Sequence, residues 1–156
     1  MSQYLATIDW TRKGPDFIKG QYSREHTWSF DAGITIRASP SPSVVPTPWS
    51  NPANVDPEEA FVASVSSCHM LTFLWVASKE GFVADSYHDE AVGAMTKNER
   101  GVFWISAITL RPLISWSGTK QPAAEDLQRL HHLAHEQCYI ANSIKTEVRV
   151  EPPLDR

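Results

Sequence analysis

Polar and apolar residues alternate along the first dozen positions. Tyr4, Ala6, Ile8 and Trp10 share one face, as the two-residue period of a strand requires. A turn bearing Gly14, Pro15 and Gly20 follows, and a second strand is predicted from about Tyr22. Tyr22, Arg24, His26, Trp28 and Phe30 fall on one face of it, and Ile34 and Ile36 keep that parity beyond Gly33. Arg24 is thereby placed among aromatics on the face expected to point inward. Residues 38–56 hold five of the eleven prolines with several serines, the composition of an extended loop. A loop of that length in a small domain is often functional.

The loop ends at Asp56-Pro57-Glu58-Glu59, a strong helix start. Asp suits the N-cap, Pro the first helical position, and the carboxylates the positive end of the dipole. The helix is predicted to run to about Lys79 and stop at Gly81. It is apolar around nearly its whole circumference, the pattern of a central helix covered on all sides. Strands are predicted over about 86–96 and 102–113, joined by a turn at Gly101, and a second helix from Ala123 to about Gln137 with Leu127, Leu130 and Ala134 inward. A helical turn holding Cys138 and a closing strand over about 145–151 complete the order β-β-α-β-β-α-α-β. Antiparallel hairpins without alternating parallel units make this an α+β fold, expected as a single domain over 1–156.

Composition narrows the function classes. The chain is 42% hydrophobic and 21% charged, with a net charge of -4, which argues against a nucleic-acid surface. The longest apolar stretch is interrupted by Ser64, Ser66, Ser67, Cys68 and His69, which weighs against a membrane span. The N-terminal residues lack a charged start followed by an apolar run, so no secretory signal is expected. Two cysteines in that setting suggest a reducing, cytoplasmic location, where a disulfide is more often catalytic than structural.

Those cysteines, Cys68 and Cys138, pose the functional question: they can cycle between dithiol and disulfide, share a metal, or simply pack. A buried thiol is inert unless a cation holds its thiolate, and a mid-helix position denies Cys68 the dipole of a helix N-terminus. Arg24 is the candidate cation, with Arg12 as second choice; Arg37 lies on the opposite parity. Glu58 is placed to anchor such an arginine. Yet Glu58 and Cys68 are ten residues apart, about 15 Å along a helix. Joint use therefore requires a bridging arginine or a second subunit, which predicts a dimer with composite sites. The rival is zinc: His131 with His135, and His135 with Cys138, can share a helix face, and Cys68-His69 adds further ligand types. No C-x-x-C or H-E-x-x-H motif supports it. Cys68 and His69 are sequence neighbours, which gives no local signature of a nucleophilic hydrolase.

The segment Asp-Pro-Glu58-Glu-Ala-Phe-Val-Ala-Ser-Val-Ser-Ser-Cys68 resembles the Asn-Pro-Glu…Ala-Cys helix of the OsmC/Ohr family, the osmotically induced and organic-hydroperoxide-resistance proteins. Cys138-Tyr-Ile-Ala-Asn-Ser-Ile-Lys resembles that family's second cysteine segment. Asp56 and Tyr139 depart from the usual Asn and Pro, and His-Met follows Cys68. The resemblance implies antiparallel sheets wrapped around a long central helix in an intertwined homodimer, with sites at the subunit interface. It further implies a thiol peroxidase for organic hydroperoxides and, less well, hydrogen peroxide, needing an external dithiol reductant and no cofactor or metal. Cys68 would be the peroxidatic nucleophile and Cys138 the resolving thiol. An arginine, Arg24 by facing, would hold the thiolate, with Glu58 orienting it. Trp28, Phe30, Phe61 and the proline loop are expected as apolar walls. The alternatives are a non-catalytic small-molecule-binding dimer of the same fold and a Cys/His zinc protein.

Overall fold

The computed structural model describes residues 2–151. Two compact units are present, Met1–Ala60 and Phe61–Arg156, and their boundary falls in the first helix.

The N-terminal unit is an antiparallel meander of β1 (Ala6–Asp9), β2 (His26–Phe30) and β3 (Thr35–Ala38), with Ile8 opposite Trp28 and Trp28 opposite Ile36. The predicted second strand starts four residues late, and its continuation past Gly33 is a strand of its own. The backbone shows why: Ser23 N–H donates to Lys13 O (2.7 Å) and Arg24 N–H to Trp49 O (3.0 Å), so these groups serve loops instead of a ladder. Residues 39–56 form the expected loop, pinned by Ser39, whose hydroxyl accepts from Asn51 N–H at 2.8 Å. The side-chain amides of Asn51 and Asn54 donate to Glu25 (3.0 and 3.2 Å) and hold its carboxyl below the ordinary carboxylate range.

Helix α1 (Pro57–Lys79) begins as the sequence predicts. Asp56 Oδ1 accepts from Glu59 N–H at 2.7 Å and Glu59 returns a carboxylate to Asp56 N–H at 3.2 Å, a reciprocal capping box. Its end is set by Gly81 at φ +80°, after which Phe82 N–H reaches back to Ala77 O at 3.1 Å.

Beyond α1 come β4 (Val83–Asp89), β5 (Val92–Lys97), β6 (Phe103–Leu110), β7 (Pro112–Ser117), α2 (Ala124–Gln137), a 3-10 turn (Ala141–Ser143) and β8 (Glu147–Val150). β4 pairs with β7, β5 with β6, all antiparallel, while β8 joins β6 in parallel. Each long strand predicted here is two. Pro112 cannot donate to a ladder and so ends β6 and opens β7. Asp89 pins the facing corner, accepting from Arg111 N–H at 2.6 Å and from the Ser66 hydroxyl.

α1 separates two cores. Val65 packs with Ile108 and Leu110 of the β5-β6-β8 sheet; Phe73, Val76 and Ala77 pack with Leu130 and Ala134 of α2 and with Tyr87, Ile114 and Trp116. Each fully buried Phe or Leu contributes about 1.5–3 kcal/mol. One expectation is corrected. α1 is not covered all round in this chain: Leu71 is 62% exposed and Trp75 54%. They lie on the helix face that carries Ser64, Ser67 and Cys68, which borders a cavity instead of a core.

Removal of the cap tests the helix start. Asp56→Ala should lower stability by about 1 kcal/mol, seen as a lower urea midpoint at unchanged slope, whereas an unchanged midpoint would mean that the box adds nothing.

Candidate functional site

The two cysteines meet. Cys68 lies in the middle of α1, and Cys138 is the residue at which α2 stops, with extended backbone (φ −70°, ψ 114°). Both are free thiols, and Cys138 Sγ donates to Cys68 Sγ at 2.8 Å. The helices bring them together because Leu130 and Ala134 seat α2 on α1 at Phe73. Asn142 then fixes the turn: its side-chain amide donates to Glu136 O and to Cys138 O, both at 2.9 Å, closing the carbonyl end of α2. Asn142 was not anticipated from the sequence; an amide side chain just past a helix end was the available signal.

The sulfurs are not equivalent. Burial, and the hydrogen bond given to Cys68, push the Cys138 thiol up to about 11, although Ala141 N–H points at its sulfur from 3.4 Å and opposes the shift. Cys138 is therefore protonated at neutral pH and gives its hydrogen bond to the Cys68 sulfur. Cys68 also borders an open cavity of about 630 Å³ that Leu71, Trp75, Tyr139 and Ile140 make apolar. Its lining contains no lysine or arginine.

The remaining predicted residues are placed as follows. Glu58 sits partly buried in the first turn of α1, and Glu59, not Glu58, closes the capping box. Arg12 is exposed beyond β1. Arg24 lies in the N-terminal unit, where Nη1 donates to Gly20 O (3.1 Å) and Tyr22 O (2.9 Å) and the guanidinium stacks over the Tyr22 ring at 4.1 Å. There it borders a second cavity, about 450 Å³, with Trp10, Phe17, Tyr22, His26, Pro40 and Val45. The proline loop thus lines this cavity and not that of Cys68. Trp28, Phe30 and Phe61 line neither; Phe61 packs into the core with Val65 instead.

The histidines form a different constellation from the metal set considered above. Among the described residues no three His, Cys, Asp or Glu side chains are placed to hold a metal ion. Instead His69, fully buried, meets His131 with Nε2 and Nδ1 3.0 Å apart, and Phe73 stacks on the His131 ring at 4.2 Å. One ring must be donor and the other acceptor, so a single proton lies between them. Burial, then the neighbouring charges of His131 and His135, push His69 down to about 4. Burial likewise pushes His131 to about 4 against the pull of Asp89.

Both rings are thus neutral in the folded protein at pH values where the unfolded chain, at an ordinary 6.5, takes up protons. Their contribution to stability is complete above about pH 6.5 and declines as pH falls towards 4. Urea midpoints should fall across that interval, and His69→Asn should remove part of the dependence. A wild-type midpoint flat over the same range would show that the pair does not titrate this way.

The family model described as OsmC-like protein matches residues 50–152. An OsmC-like protein of unknown function from Vibrio cholerae O1 biovar eltor is 52% identical, with 97% of this chain and 99% of that one covered at a TM-score of 0.93. Two organic hydroperoxide resistance proteins share the fold at TM-score 0.73. One, from Legionella pneumophila, is 13% identical over 99% of this chain and 98% of that one. The other, from Elizabethkingia anophelis, is 18% identical over the same shares and was solved with thiocyanate bound. No curated protein matches the sequence. With its two-cysteine cleft, its α+β order and a family match over most of its length, the chain belongs to the OsmC-like family.

Proposed function

We propose that the protein is a thiol peroxidase that reduces organic hydroperoxides through Cys68, in a reducing, cytoplasmic setting. The observation that carries this is the 2.8 Å approach of the chain's only two thiols at the edge of an apolar cavity. The hydroperoxide-resistance names of two proteins of the same fold lend further support.

The Cys68 thiolate attacks the terminal oxygen of ROOH; the O–O bond breaks, and RO⁻ leaves and takes a proton to become an alcohol. Cys68 is now a sulfenic acid. Cys138, protonated and already in reach, displaces its hydroxyl to form the Cys68–Cys138 disulfide and water before further oxidation. An external dithiol returns both thiols and is itself oxidised to a disulfide. Apolar walls at Leu71 and Trp75 favour alkyl and aryl peroxides over the small polar hydrogen peroxide.

The thiolate needs a cation, and none lines its cavity. Arg24 supplies it in a homodimer, with Glu58 orienting the guanidinium and the exposed Leu71–Trp75 face of α1 covered at the interface. Glu58 and Cys68 of one helix are about 15 Å apart, which is why the site takes these residues from two copies. The cation-free lining also favours a second reading, a non-catalytic small-molecule-binding dimer, which predicts slow and unselective thiol reactivity.

Pure protein given cumene hydroperoxide and dithiothreitol should consume peroxide with turnover. Cys68→Ser should abolish consumption, and Arg24→Gln should slow it about a hundredfold or more. Cys138→Ser should spend about one equivalent and then gain the mass of over-oxidised sulfur. No consumption, together with no disulfide by intact mass, would leave the binding reading in its place. Sedimentation should give a dimer, and a fully active monomer would exclude the composite site.

A further inference from the structure

We propose that His69 and His131, paired in the core where α2 packs on α1, are positioning residues for the thiol couple. They hold Cys138 against Cys68 and so set how readily the two sulfurs pass between dithiol and disulfide. The proposal rests on the redox role given above to the cysteines and adds the histidines to it. Neither ring lines the cavity of Cys68, so both act through the placement of the helices and not by touching substrate.

The geometry is one of two points of attachment. His69 follows Cys68 on α1, and His131 precedes Cys138 by two turns of α2, about 10 Å. The helices therefore meet through a sulfur pair at 2.8 Å and, two turns back along α2, through His69 Nε2 and His131 Nδ1 at 3.0 Å. Joined only by the apolar contacts of Leu130 and Ala134, α2 could tilt about them and carry Cys138 away. A directional bond at His131 removes that freedom.

The bond is well formed and has no substitute. The two imidazole planes differ by 13° and their centroids are 5.3 Å apart. That separation is the 3.0 Å bond with a ring radius on either side, so the bond runs end to end through two nearly coplanar rings. Phe73 braces both, stacking on His131 at 4.2 Å and lying 6.5 Å from His69. His69 is 1% exposed and its Nδ1 has no partner, so the bond to His131 is the only one its ring makes. A shift of α2 would leave both nitrogens of His69 unpaired in a dry core, a cost that an apolar pair in the same place would not meet. The position of α2 that avoids this cost is the one at which the two thiols touch.

The test replaces peroxide with glutathione, so a failure of the peroxidase reading and a failure of this one are told apart. Full-length protein is brought to equilibrium with glutathione and its disulfide: Cys68 and Cys138 give two hydrogens to glutathione disulfide, which becomes two glutathiones, and intact mass reads the fraction closed. His131→Leu should disfavour the protein disulfide at least about tenfold, a rise of about 30 mV in its reduction potential. His131→Asn, whose amide falls near the place of Nδ1, should restore most of the wild-type value. Replacing both His69 and His131 with Leu removes the unpaired ring, so the urea midpoint should recover while the disulfide stays disfavoured. A disulfide equilibrium that follows the urea midpoint through these variants, or does not move, would overturn the proposal. Coupling is reciprocal, so in wild-type protein closing the disulfide should slow hydrogen exchange of the N–H between the two rings by the same factor. Unchanged exchange would overturn the proposal even where the variants fail to fold.

Discussion

The sulfur–sulfur contact depends on the way α2 is seated on α1. Cys68 and Cys138 belong to elements separated by four strands, and neither element alone brings them within reach. Phe73 against Leu130 and Ala134 supplies the apolar contact, and the His69–His131 bond adds a directional one in the same interface. The hydrogen bond tolerates little error. A buried imidazole that loses its partner forfeits a bond and keeps the desolvation cost, about 1–3 kcal/mol. Sliding α2 along α1 would therefore break the imidazole pair as it parted the thiols. The polar pair in the core thus restricts register where apolar packing would allow several.

Charge is distributed to match. The cavity around Cys68 has apolar walls, no cation, and a neighbouring thiol held in its protonated form. The pocket around Arg24 has the opposite lack: a fixed guanidinium with no carboxylate. A sulfur that the proposed reaction requires as an anion and a guanidinium with no carboxylate beside it in one chain are complementary chemistries, and the homodimer proposed above is the simplest way to join them.

Much of this was legible before any coordinates. The Asp56-Pro57-Glu58-Glu59 start, the stop at Gly81 and the inner stripe of α2 are local signals, each resolved within a few residues, and all three stand. The strand errors are of one kind. Tyr22 to Glu25 alternates as well as any strand, but its N–H groups go to Lys13 and Trp49, partners that periodicity cannot name. The runs predicted at 86–96 and 102–113 break where Asp89 and Arg111 meet and where Pro112 removes a donor. Pro112 was visible as a breaker; the pairing that makes its position decisive was not. His69 illustrates the limit further. On the sequence it was a ligand type beside a cysteine, and the fold turned it away from that cysteine's cavity into the core.

By itself, then, the amino-acid order determined the helices, their ends, the α+β class, and the identity of the two sulfurs as the centre of any chemistry, because capping, helical period and residue type act over a turn or two of chain. Tertiary structure alone decided that the two thiols touch, that burial keeps Cys138 protonated, that two histidines pair in the core, and that Arg24 is fixed among aromatics. Those outcomes follow from burial and from contacts between residues far apart in the chain, whose energies exist only after the elements have packed.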